Sequence, residues 1–423
     1  MRLSKLICGL AGLAMLVPVE AGAADLFAPA PKPESAKVDA RVVREQFVAI
    51  NPSVLSTEIH AMADDSAANR VARSQSLAGD VSLPLFSGKS VKLHRTGVEA
   101  GQDGGVIWTA AAQGGGSAVL VVENNTIAGF IEVGGHQYLI DPAGGGLHTI
   151  RELRMSALPK DVHIKIPAAA ARQAGSAPLA EATTTTSYIY LLAAYTAKAK
   201  ADITAKGATV QQAVDRDIAV VNLGFAASGL PMRLRRAGIV AVSSTYSEDT
   251  ADGNQPLYDI TSGSKANFPA IRSQRTSLRA DLVAMYVRRK AYTYCGVAWV
   301  NGPTPIADYG FGVVDSYCVG TVTLAHELGH TMGLHHDRYV EPAAPASSYN
   351  YGFVSTAGNF RDIMSYSTKC RTVLGRDCPI STYYSKPTKT INGVAAGVPK
   401  GVSGAADASR WLNEHRGVVA KFR

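Results

Sequence analysis

The segment HELGHTMGLHHD, residues 326–337, places four histidines and a glutamate at offsets that suit a metal centre. His326 and His330 are four residues apart, so on a helix they lie about 40° apart around the axis and project from one face. Two imidazoles so placed can bind one zinc ion, with Glu327 alongside to act on a water. Gly333 can adopt the left-handed backbone that ends a helix abruptly and turns the chain back toward the metal. Three residues on, His336 can then approach from a second direction and complete a three-histidine set with an open fourth position. His335 stands beside a ligand in an extended stretch, so its side chain points elsewhere, to the rim of the site or to the surface. The competing explanation is a set of ordinary polar histidines on an amphipathic helix. The fixed residues of HExxHxxGxxH would coincide by chance in one chain only about once in 10⁴, which disfavours it. The chemistry implied is hydrolysis, with one zinc per chain and Glu327 as general base and then acid. No calcium motif is evident.

The same segment resembles the signature of the metzincin zinc proteases, and DIMSYS (362–367) resembles their methionine turn. Asp337, directly after the third histidine, is similar to the reprolysin group. Cys295-Gly296, VVDSYC, HHDRY, ISTYYSKP and AADASRWLNE resemble the bacterial peptidyl-Asp metalloendopeptidases. The resemblance covers most of the chain after residue 187 and is weaker before it. It implies that His326, His330 and His336 are the zinc ligands, Glu327 the base, and Met364 an apolar floor under the metal. Tyr366 sits where a tyrosine reaches the metal in astacins and serralysins, whereas the reprolysin group lacks that ligand. Its role is open between oxyanion contact and buried packing.

The resemblance further implies cleavage on the amino side of Asp. A carboxylate entering a pocket needs a charge partner, and the segment shaping that pocket contains Arg338, Arg361, Lys369 and Arg371. Arg361 and Arg371 rank first, because arginine can grip a carboxylate in a bidentate way. An extended substrate is expected to pair antiparallel with the strand GFGVVDS. Latency through a propeptide cysteine is excluded, since no cysteine lies between residues 24 and 294. Asp80 is a carboxylate that could substitute, with a simple turn residue as the alternative.

The elements that must position these groups form an α/β (α+β) pattern: a mixed twisted sheet with an active-site helix, preceded by a largely β domain. In the C-terminal part, SYIYLLAAYT reads as a buried strand, and TVQQAVDRDIAVVNLGFAASGL as a helix ending at Gly229. The strand RLRRAGIVAV, a helix near 270–278, the strand DLVAMYV and the extended GFGVVDSYC follow. Before residue 165 the pattern is strand-like, with SAVLVVE and IAGFIEV joined by a hairpin turn at Asn124-Asn125-Thr126. Residues 24–40 read as a leader without structure, and 167–187 as a low-complexity linker.

The expected organisation is a signal peptide at 1–23, a propeptide domain at 24–186 and a zinc metalloprotease domain at 187–423. Arg2 and Lys5 precede a short apolar run ending in Ala21-Gly22-Ala23, the pattern of a cleaved secretory signal, with no membrane anchor left afterwards. Export, directly or through a periplasm, places the chain in an oxidising compartment. The retained Cys295, Cys318, Cys370 and Cys378 are then expected to pair as Cys295–Cys318 and Cys370–Cys378, the shortest closures. The 423-residue chain carries a net charge of +8. Residues 24–186 hold 14 Lys+Arg and 16 Asp+Glu, while 187–423 hold 26 and 17. No nucleic-acid motif accompanies this basic half, and only Arg288-Arg289-Lys290 is clustered. Protein or peptide substrates and a monomeric state are expected. The alternative is a secreted binding protein that keeps the fold without proteolysis, against which intact Glu327 argues.

Overall fold

The computed structural model describes residues 24–32, 39–51, 54–61, 71–77, 79–101, 105–173, 185–290, 294–342 and 347–423. The expected signal segment lies outside them.

The N-terminal half is built on one sheet of ten strands, almost wholly antiparallel, with Leu55–Ala61 and Val71–Leu77 forming a separate two-stranded sheet. Its two outermost strands, Ala24–Asp25 and Phe27–Ala30, are consecutive in sequence, so the sheet curls until its edges nearly meet. The stretch read as an unstructured leader therefore supplies both edges, because Leu26 and Phe27 are apolar enough to be buried in the sheet's core with Trp108, Leu120, Ile127 and Ile140. The expected hairpin is present. Gly116–Glu123 pairs with Thr126–Val133, and Asn124 and Asn125 adopt the left-handed backbone a two-residue turn requires. Asp80 belongs to this sheet. Its carboxylate accepts hydrogen bonds from His94 Nδ1 and the Arg95 amide, so it is tied into this half of the chain and not into the cluster of His326, His330 and His336.

The second sheet holds the chemistry. Its strands are β1 (Val162–Lys165), β2 (Ser187–Tyr195), β3 (Met232–Ala241), β4 (Leu282–Val287), β5 (Gly296–Val300) and β6 (Phe311–Asp315). They lie in the order β1-β5-β6-β4-β2-β3, parallel except for β5 against β6. Fully apolar runs such as LVAMYV are buried on both faces, as a helix-covered parallel sheet demands. Helix α1 (Val210–Ala227) begins at a capping box between Thr209 and Gln212. Among the residues packed with Leu191, Ala284 and Tyr286 against this sheet are Val214, Ile218, Val221 and Phe225 from α1. Helix α2 (Thr323–Thr331) is buried along its whole length, and helix α3 (Ala408–Val419) packs behind it.

Two readings are corrected. GFGVVDS is β6, an interior strand flanked by β5 and β4, so it has no free edge for a substrate. The edge of this part of the sheet is β5, and β1 already covers it. In the low-complexity stretch, Ala168–Gln173 forms a short helix; residues 174–184 fall outside the described set. Both expected disulfides are present, Cys295–Cys318 and Cys370–Cys378. The first joins the start of β5 to the turn that leads into α2. Among the described residues no helix is long and apolar enough to cross a membrane.

Candidate metal centre and active site

Helix α2 presents His326 and His330 on one face, as their spacing requires. The helix ends after Thr331, and Gly333 takes φ +94°, with the Leu334 amide bonded back to the Gly329 carbonyl. A Cβ at Gly333 would lie 2.8 Å from Trp411 Nε1, which itself donates to the Met332 carbonyl. Backbone conformation and the packing of α3 thus both demand glycine here. The turn delivers His336 to the other two histidines. Their three Nε2 atoms stand 3.0, 3.1 and 3.2 Å apart.

The tautomers explain what that triangle is for. His326 Nδ1 donates to the Ile363 carbonyl and His330 Nδ1 to the Leu334 carbonyl, each at 2.8 Å. His336 Nδ1 lies 3.1 Å from a Glu341 oxygen and donates to it. Every Nε2 is then left with a lone pair, and three lone pairs face one another with no proton to share. That arrangement is repulsive unless a cation occupies the centre. The spacing is close to the roughly 3.3 Å edge of a tetrahedral site with metal–nitrogen bonds of about 2.0–2.1 Å. Burial, reinforced by the neighbouring imidazoles, holds His326 and His330 well below the usual imidazole range, so both are neutral bases ready to ligate. The residues fit a divalent metal.

Glu327 lies beside this centre, fully buried, with neither carboxylate oxygen hydrogen-bonded. It is packed against the backbone of Gly296, where a Cβ would come within 2.4 Å of Glu327 Oε1. Burial, then the nearby Asp161 carboxylate, pushes its pKa well up, the condition of a group poised to take or give a proton. Met364 is buried with its sulfur against Gly329 of α2, where a Cβ would be only 2.5 Å from Sδ. Asp337 fastens the two pieces, accepting from the Tyr366 amide at 2.9 Å and the Tyr339 amide at 3.0 Å. The Tyr366 hydroxyl is 3.0 Å from His336 Nε2, which places it at the centre and not in remote packing. His335 points away, stacked on Tyr351 and bonded to Glu341.

Of the arginines, Arg361 lines a cavity of about 70 Å³ beside His326 and Tyr366. Its Nη1 donates to the Ser365 carbonyl at 2.6 Å, while its buried Nε has no partner. Arg371 lines the same cavity but is half-exposed and paired with Asp377. Arg338 is held elsewhere by the carbonyls of Ala405 and Ser348. The basic run at 288–290 is not an open patch, because Arg289 is buried against Asp315. Asp161, His163 and Glu341 also belong to the site, and reasoning from motifs missed them. The available signal was the alternation DVHIKI, which sets Asp161 and His163 on one face of a strand.

Buried neutral histidines converging around a cation position, with a partnerless carboxylate at their side, define a metal-dependent hydrolase. Residues 185–392 match the family described as metallo-peptidase family M12B, reprolysin-like, and this part of the chain is a reprolysin-like metallopeptidase. It is similar to the peptidyl-Asp metalloendopeptidase of Stenotrophomonas maltophilia, 29% identical over 362 residues, covering 79% of this chain and 81% of the relative. The protein of the same name from Xanthomonas campestris pv. campestris is 26% identical over 311 residues, covering 73% and 70%. A solved structure, metalloproteinase-II from Bacteroides fragilis, aligns at 13% identity and TM-score 0.39 over 64% of this chain and 84% of that one.

Proposed function

We propose that the chain is a secreted zinc endopeptidase, made as a precursor, that cuts peptide bonds on the amino side of Asp. The observation that carries the zinc assignment is the triangle of Nε2 lone pairs, each fixed by a hydrogen bond at the opposite ring nitrogen. A zinc ion held there by His326, His330 and His336 would supply Lewis acidity, polarising the scissile carbonyl and acidifying a water. Glu327 accepts the proton of the attacking water and afterwards delivers it to the departing amine. Its burial without a hydrogen-bond partner keeps it basic toward that one proton. The Tyr366 hydroxyl is placed to donate to the carbonyl oxygen as negative charge develops on it. His335, turned toward Tyr351, takes no part.

The preference for Asp rests on Arg361 and on the name carried by the relatives. A substrate carboxylate in the cavity loses water and needs a cation that is itself incompletely paired. The unpartnered Nε of Arg361 meets that need; Arg371 is already paired with Asp377 and comes second. Digestion of a peptide library by the mature enzyme should show cleavage enriched before Asp. Arg361→Gln should lower that enrichment by at least about tenfold, the worth of one charge-assisted bond, with zinc content unchanged. Cleavage before bulky apolar residues, indifferent to Arg361, would refute the specificity and leave the metallopeptidase standing.

A further inference from the structure

A small cavity lies where the N-terminal sheet meets the metallopeptidase fold, and no residue of the metal centre lines it. In the sheet, Asp141 is two residues from Leu139 and Arg151 stands opposite Leu139 on the next strand, so all three share the docking face. On α1, Gln212, Arg216 and Val220 are four apart and form the face that meets it. Arg41, Asp141 and Arg151 thus line the cavity from one side, Lys206 and Arg216 from the other. Its volume of about 10 Å³ is that of one small particle, since roughly 10–15 Å³ accommodates a single water. The walls carry more positive charge than they neutralise. Asp141 is the shared partner of Arg151 and Arg216; Arg41 pairs with Asp39, and Lys206 with Asp202 at 2.7 Å. These four cations meet three carboxylates, and Asp202 also serves Arg288 at 3.2 Å. Asp217, beside Arg216, does not redress the balance. Its carboxylate accepts the Gly320 amide and the Tyr286 hydroxyl, and burial pushes its pKa up to about 7. Burial, then the charge of Arg41, pulls Lys206 down to about 8. Arg151 and Arg216 are each more than nine-tenths buried, and the Nε–H of each has no acceptor among the described residues.

We propose that this cavity is a halide site, in which one chloride accepts the Nε–H groups of Arg151 and Arg216 and offsets the excess charge around them. Buried donors without acceptors and a buried charge without a counter-charge are both costly, and a single anion relieves both. A water there would accept the two protons but bring no charge. Sulfate and phosphate would bring charge but exceed the space, so size selects a monatomic anion. The donors come from different halves of the molecule, Arg151 from the N-terminal sheet and Arg216 from α1, so the ion is held only while the two are docked. Chloride therefore strengthens their association by binding the docked form. The site does not depend on the metal centre or on the substrate preference.

The test uses the full chain, shown by mass to be intact. It is melted in mixtures of sodium chloride and sodium methanesulfonate at one ionic strength, the second anion being too large for the cavity. Crystals grown in sodium bromide are examined in parallel by anomalous scattering. The melting temperature of the wild type should rise with the logarithm of chloride concentration, by at least about 2 °C for a hundredfold increase. Bromide should give an anomalous peak in contact with Nε of both Arg151 and Arg216. Arg151→Lys keeps a cation beside Asp141 but removes the Nε–H donor, so it should melt alike in the two salts. A wild type indifferent to chloride, or a water and no bromide in the cavity, would overturn the proposal. A chloride response that persists undiminished in Arg151→Lys would place the ion elsewhere and overturn the site. Should that variant fail to fold, the wild-type melting series and the bromide crystals still decide.

Discussion

Imidazole is a metal ligand only as the free base, and which nitrogen is free depends on what the other one does. Each histidine of the triangle has its Nδ1 committed, two to backbone carbonyls and one to Glu341. His335 and His336 both engage Glu341 through Nδ1, yet only the Nε2 of His336 meets the other two histidines, whereas the ring of His335 stacks on Tyr351. His336→Ala removes one of three ligands and should cut zinc content of the purified protein to a small fraction. His335→Ala should retain one zinc per chain and most of the activity, and metal analysis of both variants decides between them. Retained zinc in His336→Ala with loss in His335→Ala would mean the turn at Gly333 has been misassigned. The convergence of His326, His330 and His336 beside Glu327 was legible because one short segment carries them, and helical spacing converts sequence distance into direction. Asp161, His163 and Glu341 were not, because they arrive from a strand and a loop whose placement depends on the whole sheet. Asp80, for which a simple turn residue was the alternative to a role in latency, bonds only His94 and the Arg95 amide among the described residues.

At the scale of elements, the site depends on a helix that stops where it must. Gly333 ends α2 with a positive φ and leaves room for Trp411, while Gly329 leaves room for the sulfur of Met364. Gly333→Ala combines left-handed strain with a collision against Trp411 and should lower stability by roughly 1–3 kcal/mol. It should also displace His336, so zinc affinity should fall along with the melting temperature; a variant with wild-type zinc affinity would show that the turn does not set the third ligand. Periodicity identified α1 and the buried strands around it, because an 18-residue amphipathic helix and continuous apolar runs are strong local signals. It could not tell β6 from an edge strand. Both are short and apolar, and only the order of strands, a long-range property, separates them. The segment at 24–30 was misread because Ala and Pro mask Leu26 and Phe27, which the ten-stranded sheet buries.

At the scale of the molecule, the N-terminal sheet docks on the metallopeptidase fold through a mixed surface. Phe130, Leu139 and Leu153 pack with Val220 of α1, Val322 and Ile380. Around them Asp141 bridges Arg151 and Arg216, Gln212 donates to Thr126, and the Thr382 amide and hydroxyl both donate to Glu132. Against the cost of burial, the two guanidiniums hold Asp141 below the usual carboxylate range, so this contact stays charged at neutral pH. The sheet thereby carries residues 159–166 into the cleft. The activity ascribed to the molecule still comes down to a proton transfer at one carboxylate beside one metal. The measurement that tests this most directly is zinc stoichiometry together with single-turnover hydrolysis by the mature Glu327→Gln enzyme. One zinc per chain is expected, as in wild type, with the rate reduced by at least about 10²–10⁴-fold. A Glu327→Gln enzyme that keeps its zinc and turns over at a near-normal rate would contradict it.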